Sequence, residues 1–223
     1  MSLILNIDTA TESAQVSFAK DGVVLQSLQN ELQKDHAAFL QTAIQQLAES
    51  AAIKLTDIDA VAVTAGPGSY TGLRVGMSGA KGLCYALNKP LIAINTLEVL
   101  TVAAIQQSTI NGATLYCPMI DARRMEVFTA LYDHTLTITL HPCAMVLNES
   151  SFNDQLAQNK IIFFGSGAAK WQTVCKHSNA SFAVVSNLQV AMANLSYAYF
   201  KKKQFANLAY SEPYYLKEFQ DKI

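Results

Sequence analysis

The sequence predicts an α/β chain made of two tandem units of one design. Three observations carry this reading. Short segments rich in Val, Ile and Leu alternate with stretches whose apolar residues recur at helical spacing. A strand, a tight glycine turn and a helix follow one another over residues 58–87. The pattern that opens the chain then begins again near residue 115.

Residues 3–8 read as a short apolar strand closing on an acid, Asp8. Residues 15–19 alternate polar and apolar, and Asp21-Gly22 turns them into 23–28, so the chain opens on a three-stranded meander. Asp35 is placed to cap the helix that follows, in which Leu40, Ala43, Ile44, Leu47 and Ala51 share one face while Gln41, Gln45, Gln46 and Glu49 lie mostly off it. That polar face carries little charge, which leaves it available as a contact surface. Residues 58–64 read as a buried strand of a mostly parallel sheet, and 73–87 as its helix. Asn88 suits a left-handed cap there, and Pro90 forbids continuation. One more buried strand is expected over 91–95, with Thr96 capping a helix over 97–107 and a polar connection over 106–112.

Residues 115–121 then close on Ile120-Asp121 as 3–8 close on Ile7-Asp8. A second strand is expected over 126–132, Asp133-His134 stands where Asp21-Gly22 stood, and a third strand follows over 136–140. Asp8 to Asp21 is 13 residues and Asp121 to Asp133 is 12, which marks an internal duplication. The second copy is looser after its meander: a helix over 152–158, a strand over 161–164, and a glycine turn, Gly165-Ser166-Gly167, entering a helix over 168–175. A longer helix over 189–205 ends in Lys201-Lys202-Lys203, a run that reads as a solvated helix end favoured by the dipole. Residues 212–216 read as a last extended segment laid on the body.

With 223 residues, 51% of them hydrophobic, the chain can bury a substantial core. A net charge of −1 and only 16 Lys plus Arg give no electrostatic footprint for gripping a nucleic-acid backbone unaided, so any nucleic acid is expected to be held largely by a partner. The start has no basic region and reaches Asp8 at once, which reads as a first strand rather than a signal peptide. The most apolar later region, 83–105, is broken by Asn88-Lys89-Pro90, Asn95 and Glu98 and is not expected to cross a membrane. Cys84, Cys117, Cys143 and Cys175 lie far apart with no Cys-x-x-Cys pair, which suits reduced thiols in the cytoplasm.

The stretch Gly66-Pro67-Gly68-Ser69-Tyr70-Thr71-Gly72 admits two readings. Gly66 and Gly68 allow backbone angles that aim several amide N–H groups and the positive end of the following helix at one point, where an anion could sit. They equally allow a strand simply to reverse into its helix. No Gly-Lys-Ser/Thr follows, so this is not a Walker A loop, nor is it a dinucleotide fingerprint. The anion or nucleotide candidates are Asp8, Thr9, Gly66, Gly68 and Ser69.

Two units of this kind have the architecture of the actin, sugar-kinase and Hsp70 (ASKHA) class, each half a ribonuclease-H-like sheet. Ile7-Asp8-Thr9-Ala10-Thr11-Glu12, residues 36–40, the run 66–76 with Ala80-Lys81-Gly82-Leu83, Leu97-Glu98, Ile120-Asp121-Ala122-Arg123, Glu126-Val127-Phe128 and Pro213-Tyr214-Tyr215-Leu216 resemble the TsaB (YeaZ-like) family of bacterial threonylcarbamoyladenosine biosynthesis proteins. The resemblance is strong through residue 131 and in the tail, and weak over 135–205. It implies an N-terminal ribonuclease-H-like domain at 1–108 carrying the partner-binding helices, and a divergent second one at 109–223 whose tail packs back on the first. It further implies a non-catalytic subunit needed, with TsaD and TsaE, to place threonylcarbamoyl on N6 of adenosine 37 (t6A37) in tRNAs reading codons that begin with A. On that resemblance TsaD holds the metal, TsaE uses the ATP, this chain alone binds no cofactor, and tRNA is met only within the complex. When TsaD is absent a homodimer through the same helices is one option, and the sequence leaves monomer and dimer both open.

The residues can be asked whether they suit a catalyst or a partner. A helical metal site needs two imidazoles about four residues apart. His36, His134, His141 and His177 are never closer than seven, so that site is missing. Nucleotide binding in the kinase class needs glycine just after the first strand's acid, and Ala10 stands there instead. These points count against the alternatives, a metal-dependent glycopeptidase-like hydrolase and a small-molecule kinase or ATPase. A partner role asks for a helix surface. Gly72, Gly76 and Gly79 fall on one face of the 73–87 helix and Met77 and Ala80 on an adjoining one, while part of that surface must pack on its own sheet. With His36, Phe39 and Arg74 these are the partner-interface candidates. Arg74, Arg123 and Arg124 are candidates for interface or phosphate contacts, with intradomain ion pairs the competing account.

Overall fold

The computed structural model describes residues 1–30, 36–108 and 114–217; the expected cap Asp35 lies outside them. The chain begins with β1 (Leu3–Asp8), β2 (Ala14–Lys20) and β3 (Val23–Asn30), an antiparallel meander. Helix α1 (His36–Ser50) follows, then a single 3-10 turn at Leu55–Asp57, β4 (Ala60–Gly66), α2 (Tyr70–Leu87), β5 (Leu91–Asn95) and α3 (Thr96–Gln107). The second half repeats the plan with β6 (Thr114–Asp121), β7 (Glu126–Tyr132), β8 (Ile138–Val146), α4 (Asn153–Gln158), β9 (Lys160–Phe164), α5 (Ala168–Val174) and β10 (Ala180–Ala183). Helix α6 (Leu188–Lys201) comes last.

The duplication is visible in the sheets. The first has the order β3-β2-β1-β4-β5 and the second β8-β7-β6-β9-β10, so each meander is extended by two parallel strands reached through helical crossovers. Both are ribonuclease-H-like sheets.

In the first unit Leu5, Ile7, Val16, Phe18, Val61 and Val63 turn to one face and form a core with Leu40, Ile44 and Leu47 of α1 and Met77, Ala80 and Cys84 of α2. Strand alternation puts Asn6, Ser17 and Ala62 on the opposite face, which α6 covers through contacts with β1, β2, β3 and β5. In the second unit Phe152, Phe163 and Trp171 make an aromatic centre, with Phe152 and Phe163 edge to face at 5.3 Å between ring centroids.

The compact units are Met1–Thr96 with Asn187–Tyr214, and Leu97–Ser186 with the residues from Tyr215. A boundary at residue 108 would leave α3 with the first half and α6 with the second. The apolar side of α6, with Ala191, Met192 and Leu195 buried, instead completes the first sheet. The segment after α6 stays on that unit: Ala206 N–H donates to Leu91 O (2.8 Å), Lys81 Nζ to Ala209 O (3.2 Å) and Ser211 O (2.9 Å), and Tyr214 N–H to Ala65 O (2.6 Å).

Four elements differ from expectation, the first being α2, which starts at Tyr70 rather than 73 because Ser69 caps it. The strand expected over 136–140 begins at Ile138, because the Asp133 carboxylate collects Thr135 N–H, Thr137 N–H and the Thr135 hydroxyl at 2.7–2.9 Å and holds 133–137 as a turn. It then runs on to Val146 through Pro142, tolerated because β8 is an edge strand with register shifts against β7. The α6 helix stops at Lys201 rather than 205, where Lys203 turns to φ 54° and Gln204 N–H closes on Tyr199 O. Strand β10, four residues at a sheet edge, had no expectation at all.

Candidate functional site

The glycine turn at the end of β4 holds three of the five anion or nucleotide candidates, Gly66, Gly68 and Ser69. Gly66 has φ +118°, a conformation that disfavours any side chain, and a Cβ on it would strike the carbonyl of Tyr214. Ser69 caps α2, its Oγ accepting the Gly72 N–H at 3.3 Å. Ser69 N–H, one of the amides that could face an anion, donates to Ala10 O at 2.7 Å.

The β1–β2 turn is therefore docked on this loop. Cβ atoms on Gly68 and Gly72 would collide with the carbonyl oxygens of Ala10 and Thr9, and one on Gly76 with Thr9 Oγ1. The fully buried Thr9 hydroxyl donates to Gly72 O at 2.7 Å. Asp8, Thr9, Gly66, Gly68 and Ser69 are brought together, and the glycines serve a close approach between two pieces of the chain's own backbone. Neither reading of the sequence contained this use, because the partner turn lies nearly 60 residues away along the chain.

Asp8 is buried behind the turn, 6% exposed. Its Oδ1 accepts from Thr64 Oγ1 at 2.8 Å and from Ala10 N–H at 3.0 Å. Burial raises its carboxyl above the ordinary value, opposed by the Ala10 N–H, the Thr64 hydroxyl and the charge of His36. His36, first residue of α1 and also buried, places Nε2 3.3 Å from Thr11 O, so that nitrogen carries the proton and donates. The second unit repeats the device around Gly165-Ser166-Gly167: Gly167 N–H donates to Met119 O (3.0 Å) and Asp121 N–H to Ser166 Oγ (3.1 Å). Two residues before Gly165 stands Phe163, where Thr64 precedes Gly66. Asp121 is instead exposed and paired with Lys170 Nζ at 2.7 Å. Burial works upward on its carboxyl, but the Lys170 hydrogen bond, the Arg123 N–H and the Lys170 charge outweigh it and hold it below the ordinary value.

The interface candidates separate by burial. His36, Gly72, Gly76, Met77 and Ala80 are buried within the first unit, and Met77 and Ala80 belong to its core, so the helix face expected to meet a partner is the face α2 turns to its own sheet. Gly79 lets α1 pack on α2, since a Cβ there would lie 2.8 Å from Leu40 Cδ2. Phe39 is half-buried against the same core. Arg74 is exposed, its guanidinium carbon 4.1 Å from the centre of the Tyr70 ring. What α2 presents outward is Thr71, Arg74, Ser78, Gly82 and Tyr85, beside Ala37, Ala38, Gln41, Thr42 and Gln45 of α1. A groove of about 670 Å³ runs along this side, with Gln41, Gln45, Ala48, Ile53 and Leu83 among its walls. The scarcity of charge on α1's polar face was its only trace in the sequence.

Residues 19–221 match the family model for tRNA N6-adenosine threonylcarbamoyltransferase, TsaD. The tRNA threonylcarbamoyladenosine biosynthesis protein TsaB of Escherichia coli K12 is 33% identical over 180 residues, 78% of this chain and 76% of that protein. The chain belongs to the TsaB family. TsaB of Bacillus subtilis 168 is likewise 33% identical, over 131 residues, 59% of this chain and 55% of that relative. Among solved structures, YeaZ from Pseudomonas aeruginosa superposes with a TM-score of 0.80 at 23% identity, over 97% of this chain and 100% of that one, and so shares this fold. Membership of the TsaB family places the chain in threonylcarbamoyladenosine formation on tRNA. Among the described residues no helix is long and apolar enough to cross a membrane.

Proposed function

We propose that this chain is a non-catalytic partner subunit, required with TsaD and TsaE for t6A37 formation in tRNAs reading codons that begin with A. The observation that supports this most is the docked turn. Ala10 stands where nucleotide binding in the kinase class needs glycine, and the turn that carries it is docked on the glycine loop, with Ser69 N–H engaged by Ala10 O. A rigid, self-filled loop suits a scaffold that holds its helices in place.

Partner pairing falls to the outward side of α1 and α2, which combines small residues, uncharged amides and the groove beside Leu83. Burying the roughly 800 Å² per partner of an ordinary interface needs such a surface, sparing in charges that are costly to desolvate, with Arg74, Glu49 and Lys54 toward its edges. On this reading TsaD supplies the metal and the transfer chemistry, TsaE supplies ATP hydrolysis, and the work is cytoplasmic. The test is a reconstituted reaction of tRNA, donor-forming enzyme, TsaE and the matching TsaD, with and without this chain. Modification that requires the chain, with none from the chain lacking TsaD, supports the proposal. Equal modification without it overturns the proposal.

A further inference from the structure

Two arginines of the second unit are left without a role by the reading above. Arg123 and Arg124 form the tip of the β6–β7 turn, both exposed, with φ of 71° and 47° in the left-handed region that side chains disfavour. The turn is nonetheless firmly held. Asp121 Oδ1 accepts Arg123 N–H at 2.6 Å, Glu126 N–H donates to Arg123 O at 3.0 Å, and Ala122 N–H to Glu126 O at 3.0 Å. Lys170 Nζ ties the two sides together through Asp121 Oδ1 (2.7 Å) and Glu126 O (3.2 Å).

The nearby acids already have partners. Asp121 pairs with Lys170, and Glu126 with Lys217 at 2.8 Å. Among the described residues neither arginine makes an ion pair. Four cations thus face two carboxylates, a local excess of two positive charges on a chain whose net charge is −1. Two guanidinium forks on consecutive residues, fixed at their backbone and facing water, match pairs of phosphate oxygens, and the backbone entropy of ordering the turn is already lost before binding.

We infer that the Arg123–Arg124 turn is a phosphate-binding site that takes the backbone of an RNA strand. This rests on the tRNA reading above and adds a contact made by this chain's own second unit. The phosphate of a free nucleotide offers the same chemistry, and the two sources are separable. The experiment is an amide NMR titration of the full chain with a single-stranded RNA heptanucleotide, ADP and inorganic phosphate in turn. RNA is expected to shift resonances of residues 121–126. Its apparent affinity should fall about 7-fold between about 50 and 200 mM KCl, as two phosphate contacts to a single strand require. Arg123→Gln with Arg124→Gln should abolish the shifts, while the paired lysine variant keeps the salt dependence at weaker affinity. Shifts with ADP but not RNA overturn the RNA assignment. Equal shifts with inorganic phosphate overturn the RNA assignment as well, and none with any probe overturns the site. No TsaD is present, so failure here leaves the reconstituted reaction standing, and failure there leaves this titration readable.

Discussion

Replacing Thr64 with valine keeps the shape of the side chain and removes one of the two hydrogen bonds on the buried Asp8 carboxylate. The lost bond is the 2.8 Å contact from Thr64 Oγ1, leaving the Ala10 N–H as the other donor to Oδ1. A hydrogen bond to a charged group contributes about 1.5–3 kcal/mol. In a chain of this size each 1 kcal/mol moves Tm by about 2–4 °C, so a loss near 2 kcal/mol lowers it by about 4–8 °C. The pH dependence follows from the sign of the shift. Asp8 is raised above its ordinary 3.8, chiefly by burial, so the folded chain holds this proton more tightly than the unfolded one. Its contribution to stability is full below 3.8 and is lost as pH rises through the raised folded value. Removing the Thr64 donor lifts that folded value further. Thr64→Val should therefore cost little while Asp8 is protonated and reach its full cost once Asp8 is ionised. Urea midpoints of both proteins across acid to alkaline pH read this directly, and Thr64→Ser should restore the parent curve. A loss of the same size at every pH, or one below about 0.5 kcal/mol throughout, refutes the assignment of an ionised Asp8 held by Thr64.

Three further outcomes are expected. Gly68→Ala drives a methyl into the Ala10 carbonyl and should destabilise by about 1–3 kcal/mol; a urea midpoint within error of the parent would mean the β1–β2 turn is not docked there. Met77→Lys should leave an unfolded or insoluble chain, whereas Ser78→Arg with Gln45→Arg should stay within about 0.5 kcal/mol of the parent and lose co-elution with TsaD. Retained co-elution of the second variant would move the interface elsewhere. Lys81→Ala removes the bonds to Ala209 O and Ser211 O and should cost about 0.5–1.5 kcal/mol, with faster proteolysis near residue 207; unchanged cleavage would show that the tail is held by its backbone bonds alone.

The sequence made the strand meanders and their repetition plain because alternation and turn residues are local signals. Asn88 is the left-handed cap of α2, at φ 53° with its N–H on Cys84 O and Tyr85 O, as its position before Lys89-Pro90 suggested. What was not legible depended on distant partners. Helical spacing groups Met77 with Ala80 but does not say which face meets the sheet, since Gly72, Gly76 and Gly79 make the opposite choice look open. The docking of Thr9 on Gly72 and of Tyr214 on Gly66 joins residues 63 and 148 apart, beyond the reach of any periodicity. The assignment of α6 to the first sheet was hidden for the same reason: an amphipathic helix states that it has a partner face without stating whose.

The discontinuous first unit has a consequence for how the protein is made. Its sheet is synthesised by residue 95, but the helix that covers one face starts at Leu188. At about 5–20 residues per second the ribosome needs roughly 5–18 s to supply it. During that wait the face in question is open, while the one beneath α1 and α2 can close at once. The waiting face carries Ile4, Ile92 and Ile94 but also Asn6, Gln15 and Ser17 among small residues such as Ala60 and Ala62, whereas the early face carries Leu5, Ile7, Val16, Phe18, Val61 and Val63. A nascent chain so divided exposes its less adhesive surface longest, which limits aggregation and chaperone capture before the last helix arrives.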